Sequence, residues 1–219
     1  MNERGRYEAK GVEAEFEPGS HGRVLRNLRG IRRVREMHEA EFEGLLRTTE
    51  AWFSRARTDQ RFTAANIRAM HHEWLGDIYP WAGEYRTVDL SKGDLHFANA
   101  GQIHRLMAEL ERGPLTIYTP CRPAPVADVA HGIAVVHAEL ILIHPFREGN
   151  GRCARLLAGL MGLQAGLPAL RFDRLDGKGK ARYFEGIQAA FDRDYGLLSG
   201  LFASVIEQTV KHQRRASRR

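Results

Sequence analysis

The chain has 219 residues, 43% of them hydrophobic and 27% charged, which is enough apolar content for one well-filled domain. Its net charge of +6 does not mark a nucleic-acid binder, because five of those charges sit in the last nine residues, KHQRRASRR. The N-terminus, MNERGRYEAKGVEAEFEPGS, lacks the apolar segment of a secretory signal, and no apolar run approaches the roughly 20 residues that cross a bilayer. No membrane is therefore expected, and the default compartment is the cytoplasm. Cys121 and Cys153 form no CxxC pair and read as two reduced thiols.

Residues 1–22 carry little apolar content and are expected to be poorly ordered. From about Arg23 to Arg57 apolar residues recur at helical spacing (Leu28, Ile31, Val34, Phe42, Leu45, Leu46, Trp52, Phe53), with Gly30 as a point of interruption. Residues 23–60 thus read as a helical extension packed on a core. Thr63 is placed to cap a second helix from Ala64 to about Asp77. The stretch YPWAGEYRTVDLSKGDLHFAN then changes character. β-type residues from Tyr85 to Leu90, a Lys92-Gly-Asp turn and a return through Leu95 to Ala98 predict a short β-hairpin. A helix from about Gly101 to Arg112 follows, then a proline-bearing loop, GPLTIYTPCRPAP.

The segment VADVAHGIAVVHAELILIHPF is a strong helix, with Val129, Ile133, Val136, Leu140 and Ile143 at spacings of three and four. Pro145 disfavours α geometry in the residue before it, so the helix should stop at His144. Helical patterns resume from about Gly151 to Leu163, in ARYFEGIQAAF and in YGLLSGLFASVIEQTV. The expected fold is all-α with one short hairpin: a compact unit over 61–210, then a basic tail, 211–219.

The chemistry concentrates in one stretch, HPFREGNGRCAR, from His144 to Arg155. It joins the end of one helix to the start of the next. Unpaired backbone N–H groups at a helix N-terminus form an anion site. Gly149 and Gly151 leave room for a phosphate to approach, Arg152 and Arg155 are three apart, and Asn150 can donate to a phosphate oxygen or cap the helix. Glu148 beside such a site calls for a cation, and Mg²⁺ held by a carboxylate and phosphate oxygens is the usual one. His144 is the one group in the stretch able to accept a proton near neutral pH. Phe146 reads as an apolar anchor for the loop. His71-His72-Glu73 lacks HExxH spacing, and His137 lies too far along its helix from His144 to share a metal.

These residues resemble the signature of the Fic (Fido) family: His-Pro-Phe, any residue, Asp or Glu, Gly-Asn-Gly-Arg, any two, Arg. All nine specified positions match. YPWAGEYRTVDLSKG is similar to the family's approach to its hairpin flap, and RYFEGIQAA to its later helix. The resemblance implies a Fic-type helical bundle and a protein adenylyltransferase that moves AMP from ATP, with Mg²⁺, to a Tyr, Thr or Ser hydroxyl of a target protein. It implies His144 as general base and Glu148 as the metal residue. Gly149, Asn150, Gly151, Arg152, Arg155 and Lys92 would bind ATP, with Tyr183 and Phe184 beside the adenine. Val88, Asp89, Leu90 and Phe97 would belong to the flap that docks the target by strand addition. The unaltered Gly-Asn-Gly-Arg favours AMP over phosphate or phosphocholine transfer. Transfer of another nucleotide or phosphate group, or a catalytically silent nucleotide-binding module, stay open as alternatives. Family members often carry an inhibitory helix, Ser or Thr, three residues, Glu, then Gly or Asn. EAEFEG (39–44) and ASVIEQ (203–208) both lack the hydroxyl residue, so inhibition would come from an antitoxin-like partner protein or be absent.

Overall fold

The computed structural model describes residues 8, 9, 13, 15–92, 95–175 and 177–217. Its main elements are β1 (Glu8–Ala9), α1 (Val34–Arg55), α2 (Ala64–Leu75), β2 (Leu90–Lys92), β3 (Leu95–His96), α3 (Ile103–Leu110), α4 (Thr116–Tyr118), α5 (Val126–Ile143), α6 (Asn150–Gln164), α7 (Lys180–Ala189) and α8 (Gly196–Ala216). Helices build the body, and the strands form one small antiparallel sheet in the order β1-β2-β3.

Helix α5 is the axis of the bundle. It packs against α3, α4, α6, α7 and α8. Buried residues lie on every side of it, from Val129 to Ile143, so it is apolar all round rather than amphipathic. The main core gathers around it with Met107, Phe146, Leu157, Leu160, Ile187 and Phe202. A second, smaller core of Val24, Met37, Trp74, Leu75, Ile78, Tyr79 and Ala82 joins the N-terminal residues to the end of α2.

Several boundaries depart from the sequence reading. Helix α1 starts at Val34, not near Arg23. The Asn27 side chain accepts from the Arg29 and Ile31 N–H groups and donates to the Leu25 and Ile31 carbonyls, which holds a turn where a helix was expected. Gly30 supplies the left-handed backbone of that turn at φ +64°. Thr63 does cap α2, in a reciprocal box with Asn66. Beyond α3 the chain stays helical to Tyr118, where a loop was expected. Pro114 is accommodated in a π-type turn, Glu111–Leu115, which absorbs the missing N–H.

Among the described residues both ends carry structure that composition did not indicate, while residues 1–7, 10–12 and 14 of the segment expected to be poorly ordered lie outside the described residues. Glu8–Ala9 pairs with β2 in the register Glu8↔Ser91 and Ala9↔Leu90, and Phe16 bridges Leu25. At the other end α8 runs through the first residues of the basic tail to Ala216, with exposed side chains. Cys121 and Cys153 are free and buried.

Two glycines test the helix packing. At Gly44 in α1 an added Cβ would lie 2.7 Å from the Trp74 carbonyl oxygen, whereas at Gly200 in α8 it would meet nothing within 4 Å. Gly44→Val is expected to cost about 2 kcal/mol and Gly200→Ala to add about 0.5–1 kcal/mol, both read from urea unfolding curves.

Candidate active site

The motif folds as a rigid bend between α5 and α6. His144 closes α5 in the left-handed region, at φ 51° and ψ 59°, and Gly149 opens α6 at φ 86°. Asn150 fixes the span between them. Its carbonyl oxygen accepts the Phe146 N–H at 2.8 Å and its amide donates to the Phe146 carbonyl at 2.8 Å. Phe146 is fully buried and stacks on the His71 ring at 3.8 Å. The amide of Asn150 is thus engaged within the bend, and its contribution to an anion site is to shape the loop.

The two motif glycines differ. A Cβ at Gly149 would collide with Trp74 at 2.7 Å, so packing within the protein demands glycine there as much as its positive φ does. A Cβ at Gly151 would meet nothing within 4 Å. The space beside Gly151 is open, at the N-terminal turn of a 15-residue helix.

The His144 imidazole is 3% exposed. Its Nδ1–H donates to the Ile141 carbonyl at 3.1 Å, which assigns Nε2 as the basic nitrogen. Burial pushes its pKa down to about 3, with Arg86 and Lys92 adding to the depression, so the ring is neutral at physiological pH. Phe97 of the hairpin lies flat on it, centroid to centroid 3.7 Å. Access to the imidazole therefore runs through Phe97.

Glu148 sits at the mouth of the bend, its side chain 16% exposed. Oε1 accepts from the Gly149 N–H at 3.0 Å and from Arg152 Nη2 at 3.3 Å. Among the described residues no cluster of three or more His, Cys, Asp or Glu is built to hold a metal alone. A single carboxylate beside an open helix N-terminus fits Mg²⁺ that brings phosphate oxygens as further ligands. Arg152 also pairs with Glu41 of α1 at 2.6 Å and lies over the Trp74 ring at 4.5 Å. Arg155, one turn on, lies near enough to His137 to help lower that residue's pKa, after burial. The two arginines therefore face different neighbours.

The remaining predicted residues divide. Lys92 reaches over the Phe184 ring at 4.6 Å, which brings the hairpin tip and α7 together beside the bend. Tyr183 turns inward instead, 8% exposed and hydrogen-bonded to His137 Nε2 at 2.8 Å. Val88 and Leu90 are buried, while the Asp89 carboxylate accepts from the Ala100 N–H and the Asn99 amide and closes the base of the hairpin.

Four supporting residues escaped the sequence reading. Arg86 is buried and donates to the carbonyls of Ile143, His144, Val88 and Ala98, tying the hairpin to the end of α5. His71 accepts the Gly83 N–H on Nδ1 and donates from Nε2 to the Glu148 carbonyl. Trp74 floors the bend, and Glu41 braces Arg152. Of these only His71 and Arg86 had a readable signal, a polar residue inside an apolar segment.

Residues 61–161 match the Fic/DOC family. The chain is also 35% identical over 153 residues to the probable protein adenylyltransferase y4lH of Sinorhizobium fredii, covering 68% of this chain and 74% of that protein. The chain belongs to the Fic/DOC family. It is 28% identical over 188 residues to the protein adenylyltransferase VbhT of Bartonella schoenbuchensis, covering 85% of this chain but only 37% of VbhT. Among solved structures it resembles the N-terminal Fic domain of a Bartonella quintana cell filamentation protein with bound ADP, at TM-score 0.65 and 25% identity, covering 83% of this chain and 89% of that one. The Fic bundle and hairpin expected from the motif are thus the fold observed.

Two measurements follow from the buried rings of this Fic domain. His71, His137 and His144 have pKa values pushed down by burial to about 4, 3 and 3. Unfolded histidines bind a proton near 6.5, so below that pH the unfolded chain holds more protons. Their contribution to stability is complete above about pH 7 and is lost as pH falls from about 6.5 towards the folded values. Urea unfolding across that window should show it, and His137→Gln should take about one proton out of the slope. Phe97→Ala should uncover His144, moving its NMR titration upward towards the ordinary value and speeding its carbethoxylation.

Proposed function

We propose that this Fic protein is a protein adenylyltransferase: it transfers AMP from ATP to a hydroxyl side chain of a target protein, with His144 as general base. The observation that carries this reading is the His144–Gly151 bend, which sets a neutral imidazole, protonated on Nδ1, beside an open helix N-terminus. The naming of its relatives as adenylyltransferases and the ADP bound in the Bartonella quintana structure support it.

The first step is proton removal. When a target strand lifts Phe97, Nε2 of His144 takes the proton from the hydroxyl, and uncovering raises the basicity that burial suppresses. The hydroxyl oxygen then attacks the α-phosphorus. The bond from that phosphorus to its bridging oxygen breaks, and pyrophosphate leaves. The backbone N–H groups at the start of α6, with Arg155, would face the charge that builds on the phosphates. Glu148 would hold Mg²⁺, which supplies charge neutralisation for the triphosphate when bound. Lys92 and Phe184 would border the nucleotide from the hairpin and from α7.

The hairpin would present the target. Val88 and Leu90 are buried and β2 is paired on both sides, so a peptide would add its backbone along β3 or in place of β1, a recognition mode that holds register and carries little sequence information.

With α-labelled ATP, Mg²⁺ and lysate, the wild-type protein should label a protein band, and γ-labelled ATP should not. His144→Ala should lower the rate at least about 100-fold with nucleotide affinity little changed. Label from γ-ATP instead would assign phosphate transfer, and equal labelling by wild type and His144→Ala would end the general-base role.

A further inference from the structure

We infer that Glu41, in the N-terminal helix α1, is a positioning residue for the active site: it holds the Arg152 guanidinium away from full pairing with Glu148, so that the Glu148 carboxylate stays available to a divalent cation. This rests on the adenylyltransferase reading for the role of Glu148 only.

The geometry is a chain of contacts from core to mouth. Glu41 is 5% exposed, on the buried face of α1. Tyr79 donates its hydroxyl to Glu41 Oε1 at 2.8 Å, and Arg152 Nη1 donates to Oε2 at 2.6 Å. The backbone carbonyl of the same residue accepts Trp74 Nε1–H at 2.7 Å, which fixes the helix as well as the carboxylate. Trp74 in turn lies under the guanidinium. Arg152 reaches Glu148 only through Nη2, and at 3.3 Å, the longer of its two ion pairs.

That inequality is the core of the inference. A guanidinium beside one carboxylate is frequently drawn into a bidentate pair with it. Here half of the fork is occupied by a second carboxylate, itself sequestered and satisfied by Tyr79. A buried carboxylate needs such partners to remain charged. Beside its bond from the Gly149 N–H, Glu148 therefore keeps one long contact to the arginine that an arriving cation can replace, and Arg152 retains its place when that happens. Without Glu41 the arginine would close onto Glu148 and compete with the cation directly. Support of this indirect kind commonly sets metal affinity by one to two orders of magnitude.

The test uses the full chain with Mg²⁺ and a non-hydrolysable ATP analogue, followed by titration calorimetry. Glu41→Gln should raise the Mg²⁺ concentration for half-maximal nucleotide binding about 10-fold or more. It should also raise the Mg²⁺ requirement for AMP transfer far more than it lowers kcat at saturating metal. Glu41→Asp, which keeps the charge, should recover most of the affinity. Thr48→Val changes another buried polar residue of α1, and it should alter the melting temperature without moving the Mg²⁺ requirement. If Glu41→Gln fails to fold, Tyr79→Phe, which removes the hydroxyl that holds Glu41 Oε1, decides in its place: the inference expects a raised Mg²⁺ requirement, and an unchanged one overturns it. An equal Mg²⁺ requirement in wild type and Glu41→Gln, with AMP transfer intact, overturns the inference and leaves the adenylyltransferase reading standing. Mg²⁺-dependent binding without AMP transfer in wild type sinks that reading, while the binding comparison still judges Glu41. A wild type that binds no nucleotide with Mg²⁺ overturns both.

Discussion

The site depends on one amide. Asn150 closes the bend between α5 and α6 by bonding both the N–H and the carbonyl of Phe146. Those backbone groups are buried and would otherwise lack the partners a helix or sheet provides. By satisfying them together, a single side chain turns the six-residue connection, 144–149, into a closed ring of fixed shape. The backbone around it carries strain, with His144 in a left-handed conformation that only its neighbours can enforce. Arg86 supplies part of that enforcement by bonding the His144 carbonyl at 2.7 Å.

Around this ring the fold works as a set of braces drawn from distant parts of the chain. His71 holds the Glu148 carbonyl and stacks on Phe146 from α2. Arg86 spans the hairpin and the end of α5 through four carbonyls, with the Asp89 carboxylate 4.0 Å from its Nη1. Glu41 reaches across from α1. The motif side chains come from twelve consecutive residues, but their positions are braced from three other parts of the chain. Such support is what keeps a functional constellation within the fractions of an ångström that chemistry requires.

The sequence made the helices and the motif legible for clear reasons. Helix α5 carried apolar residues at a steady period and a proline at its end, and the structure stops it at Ile143 as the proline dictates. Thr63 was readable because a cap is a local event. What could not be read depended on contacts remote in sequence. Asn27 replaces the start of α1 with a turn through bonds to four backbone groups, and Leu28 then bonds Ile78 across the second core. Pro114 looked like a helix breaker and lies instead in a widened turn, with Leu115 fully buried behind it. Arg152 looked like a phosphate ligand by spacing, and nothing local disclosed that a glutamate 111 residues away holds it.

The small sheet has a final implication for traffic at the hairpin. Strand β2 already lends its outer backbone groups to Glu8 and Ala9, and Glu13 anchors the same segment through Thr87 and the Arg147 side chain. A foreign peptide seeking that edge faces a rival joined to the same polypeptide. Tethering of this sort acts like a local concentration of about millimolar for a short linker. A strand that came to lie along β2 on this side would first have to take the place of Glu8 and Ala9.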